Sequence, residues 1–363
     1  MQSSFYMIFS ILLFVIIIGF LIFVHEFFHF IAAKRAKVRV DEFCLGFPPR
    51  IFKYKKGETL YSLGIFPIGG FVKIFGEDSR EKNKNSFYSK SLGKRAQIIT
   101  AGVFSNFILA IMLFSIVFKM GYPQAIEAEK IPTNAKEINV QIISIAPDSP
   151  AQKAGLKAGD KIIKMEAGKV VKTPKTTKDV QGFTQENLGE KINLSIKRGG
   201  EVSQKEIIPR KTSPKDEGAM GIGLIETAII EYGFFESIFQ GFKAAFTIIK
   251  MTFELLWSLV FGPRIPGVEG VGPIGAGGIF VQIAELGFVY IIYFTALLSL
   301  NLAIINALPF PALDGGRLLF LLIEKIKKKP IKIETENLVN QTGFILLIIL
   351  MVVITFKDIK KLL

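Results

Sequence analysis

Residues 5–33, FYMIFSILLFVIIIGFLIFVHEFFHFIAA, are apolar except for one cluster near the end, His25, Glu26 and His29. The run exceeds the roughly 20 residues that an α-helix needs to cross the hydrocarbon core of a bilayer. A secretory signal peptide carries its basic residues ahead of the apolar stretch. Here Lys34, Arg35, Lys37 and Arg39 follow it and nothing basic precedes it. The segment therefore reads as an uncleaved anchor whose N-terminus lies outside the cytoplasm.

Working outward, a second apolar segment covers about 96–120, with Lys90, Lys94 and Arg95 before it and Gly121-Tyr122-Pro123 ending it. A third, about 288–307, runs into Leu308-Pro309-Phe310-Pro311, and a fourth, about 343–356, follows a basic loop of Lys325, Lys327, Lys328, Lys329 and Lys332. The expected fold class is a polytopic α-helical membrane protein of about four transmembrane helices. Residues 1–121 and 285–363 form its two membrane parts, 122–230 are an inserted α+β domain, and 231–284 hold an amphipathic helix and a glycine-rich connection. The basic stretches between spans one and two and between spans three and four then lie in the cytoplasm. Lys357, Lys360 and Lys361 fall outside on this scheme and are outweighed by the two larger loops.

This division accounts for a composition that looks contradictory, 50% hydrophobic residues with 34 Phe beside a net charge of +14. Such hydrophobicity excludes a disordered chain. The charge marks topology and attraction to anionic headgroups of the lipid bilayer. It does not mark nucleic-acid binding.

Within the insertion, charges of both signs alternate with short apolar runs. Residues 140–145, 161–165 and 192–197 read as strands, 149–154 as a short helix, and Arg198-Gly199-Gly200 as a hairpin turn. The run from Ala146 through Ser149-Pro150 and Gly155-Leu156-Lys157-Ala158-Gly159-Asp160 resembles the signature of bacterial PDZ domains. That resemblance implies a domain that binds an extended peptide or a free C-terminus by strand addition. A spacer without a ligand is the other reading.

His25-Glu26-Phe27-Phe28-His29 is an H-E-x-x-H pattern. On a helix the two imidazoles, four residues apart, share a face and reach one ion, while Glu26 can hold a water beside it. Zinc suits such a set, and it requires a third protein ligand plus an open position. Ionisable groups in a membrane span are expensive and mark function. The chain holds two histidines and one cysteine, Cys44, so a four-thiolate site is excluded and a carboxylate is the expected third donor. Asp314 stands out, because Pro309 and Pro311 break the third span just before it; an ordinary helix exit with an Asp-Gly-Gly turn is the alternative.

H-E-x-x-H in the first span, Asn306-x-x-Pro309-x-Pro311-x-Leu313-Asp314-Gly315 at the third, and a PDZ-like insertion between spans two and three resemble the site-2 protease family of intramembrane zinc metalloproteases. The similarity is to the branch of bacterial regulators of sigma E protease, whose well-known members carry two PDZ domains where this chain has room for one. The resemblance implies Zn²⁺ held by His25, His29 and Asp314, Glu26 as catalytic base, and Asn306, Pro309 and Pro311 at the substrate. It implies a multi-pass protein of the bacterial plasma (inner) membrane, with an extracytoplasmic PDZ domain and an active site near the cytoplasmic side. Its substrates would be single-span membrane proteins or their remnants, such as anti-sigma factors and signal peptides. A non-catalytic PDZ scaffold with a structural zinc is the alternative.

Residues 60–76 read as two strands around Pro67 and Gly69-Gly70; they resemble the membrane-associated β-region of that family, here at about 45–78, and a plain amphipathic hairpin lying on lipid is the other reading. Residues 232–261, with Glu236, Lys243, Lys250 and Glu254, suit an interfacial amphipathic helix. The glycine-rich stretch 267–278 lacks Gly-Lys-Ser/Thr, so it reads as a tight re-entrant connection rather than a phosphate loop.

Overall fold

The computed structural model describes residues 2–79, 81–126, 132–214, 217–262 and 272–362. Helix α1 covers Gln2–Arg35, two residues beyond the apolar run, and ends on Lys34 and Arg35. It points Ile8, Phe9, Leu12, Ile16 and Phe20 outward. In hydrocarbon a helix satisfies its own backbone groups, which is why a lone apolar segment takes this form.

Strands β1 (Val40–Lys56) and β2 (Thr59–Ile74) follow. The β-region thus begins earlier than the alternation in 60–76 suggests, since Pro48-Pro49 and the lysines of β1 obscure its pattern. Both strands bend: Glu42 is in register with Leu60 and also with Lys73, so residues 42–45 lie between two stretches of β2. Residues 70–74 form one edge of the bent sheet and 50–56 the other. The bend requires glycine, because a Cβ at Gly64 would stand 2.2 Å from the Phe47 carbonyl oxygen. Helix α2 (Leu92–Met120) comes next. Ala33 of α1, Val40 of β1, Ile74 of β2, Ile98 and Ile99 of α2, and Leu321 near the chain's end share one buried apolar cluster.

The insertion forms a sheet from β3 (Tyr122–Ala125), β4 (Ala135–Ile145), β5 (Lys161–Ala167), β6 (Val170–Lys172), β7 (Ile192–Arg198), β8 (Glu201–Ile207) and β9 (Ile222–Ile230). The order is β3-β9-β4-β5-β7-β8, with β6 paired to β5. Arg198 pairs with Glu201 across Gly199-Gly200, closing the hairpin that the sequence predicts. Helices α3 (Pro150–Lys153) and α4 (Thr177–Glu186) complete a PDZ-type domain over a core that includes Ile142, Ile162, Met165, Phe183 and Leu194. In its signature loop Ser149 caps α3, accepting from the Gln152 amide, and the fully buried Asp160 accepts two bonds from Arg198 at 2.6 and 2.8 Å.

Beyond it lie α5 (Phe234–Phe261), α6 (Pro273–Leu286), α7 (Phe288–Ala307), α8 (Asp314–Lys327) and α9 (Ile333–Leu362). Among the described residues four helical segments are long and apolar enough to cross a membrane: Tyr6–Arg35, Leu92–Met120, Phe288–Ala307 and Ile333–Lys360. The fourth starts ten residues before the expected 343–356. Glu334 and Glu336 occupy its first turn, where the helix dipole favours them, and Gly343, which looks like a boundary, sits mid-helix, glycine there because a Cβ would meet Pro311 at 2.5 Å. The expected re-entrant connection is partly replaced by helix: 267–271 lie outside the described residues, and from Pro273 the chain is α6. Proline suits a first helical position, and the Asp358 carboxylate accepts from the Gly272 and Gly275 amides at 3.2 and 2.8 Å.

The chain divides into two compact units, one of Met1–Phe114, Gly241–Val281 and Phe294–Leu363, the other of Ser115–Gln240 and Gln282–Tyr293. The first holds the site described next.

Candidate metal centre

His25 and His29 lie one turn apart on α1, each 8% exposed. Their Nε2 atoms are 3.1 Å apart, and both face Asp314 Oδ2, at 3.1 Å from His25 and 3.2 Å from His29. Ligands about 2.1 Å from a tetrahedral ion stand about 3.4 Å from one another. Three lone pairs at this spacing repel unless a cation lies among them, so the donor set fits Zn²⁺, with one tetrahedral position left open. The His29 tautomer agrees, since Nδ1 donates to the Ile98 carbonyl at 2.8 Å and leaves Nε2 free to ligate.

Asp314 is delivered by the broken end of α7. Ala312 takes φ +73°, and its amide donates to Asn340 Oδ1 at 3.1 Å. Asp314 then begins α8. The two glycines after it are dictated by close approach: a Cβ at Gly315 would lie 2.3 Å from the Ala307 carbonyl oxygen, and one at Gly316 2.2 Å from that of Phe310.

A cavity of about 330 Å³ opens over this cluster, lined by Glu26, Asn106, Asn306 and Arg317 as well as the three donors. Phe71 and Val72, from the outer stretch of β2, form part of its wall. Gly70 lets that stretch approach α1, since a Cβ there would be 3.3 Å from Glu26 Cγ. Of the residues expected at the site, His25, Glu26, His29, Asn306 and Asp314 share the cavity. Pro309 and Pro311 are not among its lining residues. Pro309 lines a separate apolar groove of about 570 Å³, and Pro311 packs against Gly343. The prolines shape the loop that carries Asp314, and the rigid φ of proline is the reason they can.

Three neighbours carry little signal in the sequence. Arg317, three residues after Asp314 and so on the same face of α8, lines the cavity and pairs with Glu77 just past β2. Burial pushes the Glu77 carboxyl up, and Arg317 opposes that rise. Gly102 of α2 has no side chain where one would collide: a Cβ would be 2.3 Å from His29 Nε2 and 2.7 Å from His25 Nε2. Asn106, fully buried, stands one turn further along α2. A polar residue inside an apolar span was the available signal for Asn106; nothing in the sequence marks Gly102.

The model of peptidase family M50 matches residues 13–350. The chain is 34% identical over 355 residues to a Clostridium perfringens protein with a provisional zinc-metalloprotease name, covering 98% of each. It is 28% identical to zinc metalloprotease RasP of Oceanobacillus iheyensis, covering 97% of this chain and 99% of the other. It is also 30% identical to the regulator of sigma-E protease RseP of Escherichia coli, covering 96% and 98%. The last two alignments run over 439 and 447 residues, so those relatives contain segments that this chain of 363 lacks.

Proposed function

The chain belongs to peptidase family M50 and is a membrane zinc metalloendopeptidase of the site-2 protease type, and from that premise we propose that it hydrolyses peptide bonds within or near the transmembrane segments of single-span proteins. The carrying observation is that His25, His29 and Asp314 converge beside Glu26 in one cavity, on helices whose outer faces are apolar.

When bound, Zn²⁺ supplies Lewis acidity that activates water and polarises the scissile carbonyl. His25, His29 and Asp314 would hold it. Glu26, one residue from His25 and facing the same cavity, accepts the proton of the attacking water and returns it to the leaving amine. Asn306 lines the same cavity and would donate its amide to the substrate backbone.

A transmembrane helix resists proteolysis because its carbonyls are already bonded, so the substrate must be extended first. Residues 70–74 are one edge of the bent sheet, and among the described residues no strand pairs with their far side. That edge supports an added substrate strand against the cavity, with backbone partners for what the helix gives up. In this reading the β-region lies on the membrane's cytoplasmic side, α5 lies along the interface, and the PDZ-type domain is outside. An uncrossed α5 keeps Asp314 on the His25 side of the bilayer. The PDZ-type domain offers a groove of about 330 Å³ between α4 and β9, lined by Val180, Thr184, Met220 and Leu224. It would screen substrates there, by holding a peptide end or by excluding bulky ectodomains. Anti-sigma factors and remnant signal peptides are the candidate substrates, in a bacterial inner membrane.

The test is Glu26→Gln. The variant binds zinc as tightly as wild type and loses cleavage by more than about 10³-fold, as expected of a general base whose loss also misplaces the water. In cells it accumulates single-span fragments that wild type removes. Cut sites mapped outside any apolar run, or unchanged cleavage, would overturn the proposal.

A further inference from the structure

His29 and His25 are served unequally by the helix behind them. His29 Nδ1 has a carbonyl acceptor, Ile98 O, at 2.8 Å. His25 Nδ1 instead faces the side-chain amide nitrogen of Asn106 at 3.5 Å, while Asn106 Oδ1 is buried with no hydrogen-bond partner among the described residues. Both oddities have one source. If His25 Nε2 ligates a metal, the neutral ring carries its hydrogen on Nδ1, and a donor then faces a donor. The two ends of an amide have nearly the same shape, and the bonding pattern decides which end points where.

We propose that Asn106 is a positioning residue of the metal centre: its side-chain carbonyl accepts the Nδ1–H of His25, and so commits Nε2 of that histidine to the ion. Turning the amide over places Oδ1 against Nδ1 and removes the orphaned acceptor facing nothing. Residues 98, 102 and 106 then form one functional strip of α2, four residues apart and therefore on one face. The outer two supply acceptors to the two imidazoles, and Gly102 between them leaves the ion its room. The strip is anchored, because Ser299 of α7 donates to the Asn106 main-chain oxygen at 2.8 Å. Outer partners of this kind fix ring orientation and ligand basicity in metal sites generally.

The inference rests on the zinc reading above, and its test separates the two. Full-length wild type, Asn106→Leu and Asn106→Asp are purified in detergent, and Zn²⁺ affinity is measured by competition with a chelator, with thermal melting as the fold control. Asn106→Leu, which keeps the branching of asparagine but has no acceptor, should bind Zn²⁺ about 10- to 100-fold more weakly. Asn106→Asp, which keeps an acceptor, should bind at least as tightly as wild type. The cobalt-substituted proteins should differ in their d–d spectra in the same order. Wild-type affinity in Asn106→Leu overturns the inference and leaves the zinc reading intact. If Asn106→Leu does not fold, Asn106→Asp decides: a tenfold loss overturns, retained affinity supports. Wild type that binds no Zn²⁺ overturns both.

Discussion

The unit that carries the candidate metal centre and the PDZ-type domain follow opposite rules of burial. In the first, Ile8, Phe9, Leu12, Phe344 and Leu346 are exposed while His25, His29, Asn106 and Ser299 are buried. In the second, Ile142, Ile162, Met165 and Leu194 are fully or almost fully buried and charged side chains occupy the surface. Lipid is as apolar as leucine, so burying leucine in the first unit contributes little and specificity falls to close packing and the few polar groups. Water around the second makes apolar burial its main driving force. A substitution that adds one methyl should therefore be severe in the first unit at the polar strip, whereas in the second the damaging change is removal of apolar bulk.

Gly102→Ala is the sharpest way to break that contrast. On an ordinary exposed helix the change would stabilise by up to about 1 kcal/mol. Here the new Cβ would lie 2.3 Å from His29 Nε2 and 2.7 Å from His25 Nε2. Bound rings cannot retreat without losing the ion, so Zn²⁺ affinity and cleavage should each fall by about 100-fold or more, beyond the usual loss for an outer partner, while melting in detergent stays near wild type. A Gly102→Ala protein with full zinc content and full activity would show that α2 does not bound the metal site.

This asymmetry also explains what could be read in advance. In the membrane unit the rare polar residues are conspicuous, so spacing, cost and resemblance single out His25, Glu26, His29, Asn306 and Asp314, which line one cavity. Helix ends were less legible: α9 begins at Ile333 rather than near 343 because its polar first turns carry no hydropathy signal. Gly102 and the fold of β1 onto two parts of β2 were invisible, since each depends on what a distant segment places opposite it. In the PDZ-type domain the signature loop and the β7–β8 hairpin were legible from local turn chemistry. Helix α4 and strand β9, which together make the groove, are less legible, because α4 is a short polar-faced helix and β9 follows a stretch without pattern.

A middle-sized effect tests the other half of the comparison. Phe183 of α4 is 2% exposed and packs in the core of the inserted domain. Phe183→Ala should destabilise that domain by about 3–5 kcal/mol, the range for large-to-small aromatic changes in a water-solvated core. Amide hydrogen exchange in full-length protein would register it as faster exchange across β4, β5, β7 and β9, with Zn²⁺ affinity unchanged. Loss of zinc together with the faster exchange would contradict the division into separately stabilised units.

The smallest effect lies at the start of α4, where a carboxylate caps a water-exposed helix. Asp179 Oδ2 accepts from the Lys175 and Thr176 amides at 3.0 Å each, and Thr176 Oγ1 accepts from the Asp179 amide at 3.2 Å, a reciprocal capping box. Those backbone donors, with Lys172 nearby, hold the carboxyl down at about 2, below its ordinary 3.8. A group whose pKa is lower in the folded state stabilises that state above its unfolded pKa and loses the contribution as pH falls. Asp179→Asn should thus slow-exchange α4 amides less well by about 1 kcal/mol at neutral pH. The gap from wild type should stay level down to about pH 4 and shrink between about 3.8 and 2. It should change little with salt, because the leading partners are backbone amides rather than the exposed Lys172. A gap that is constant through that window, or one that closes in high salt at neutral pH, would move the cap's contribution from the backbone bonds to the lysine.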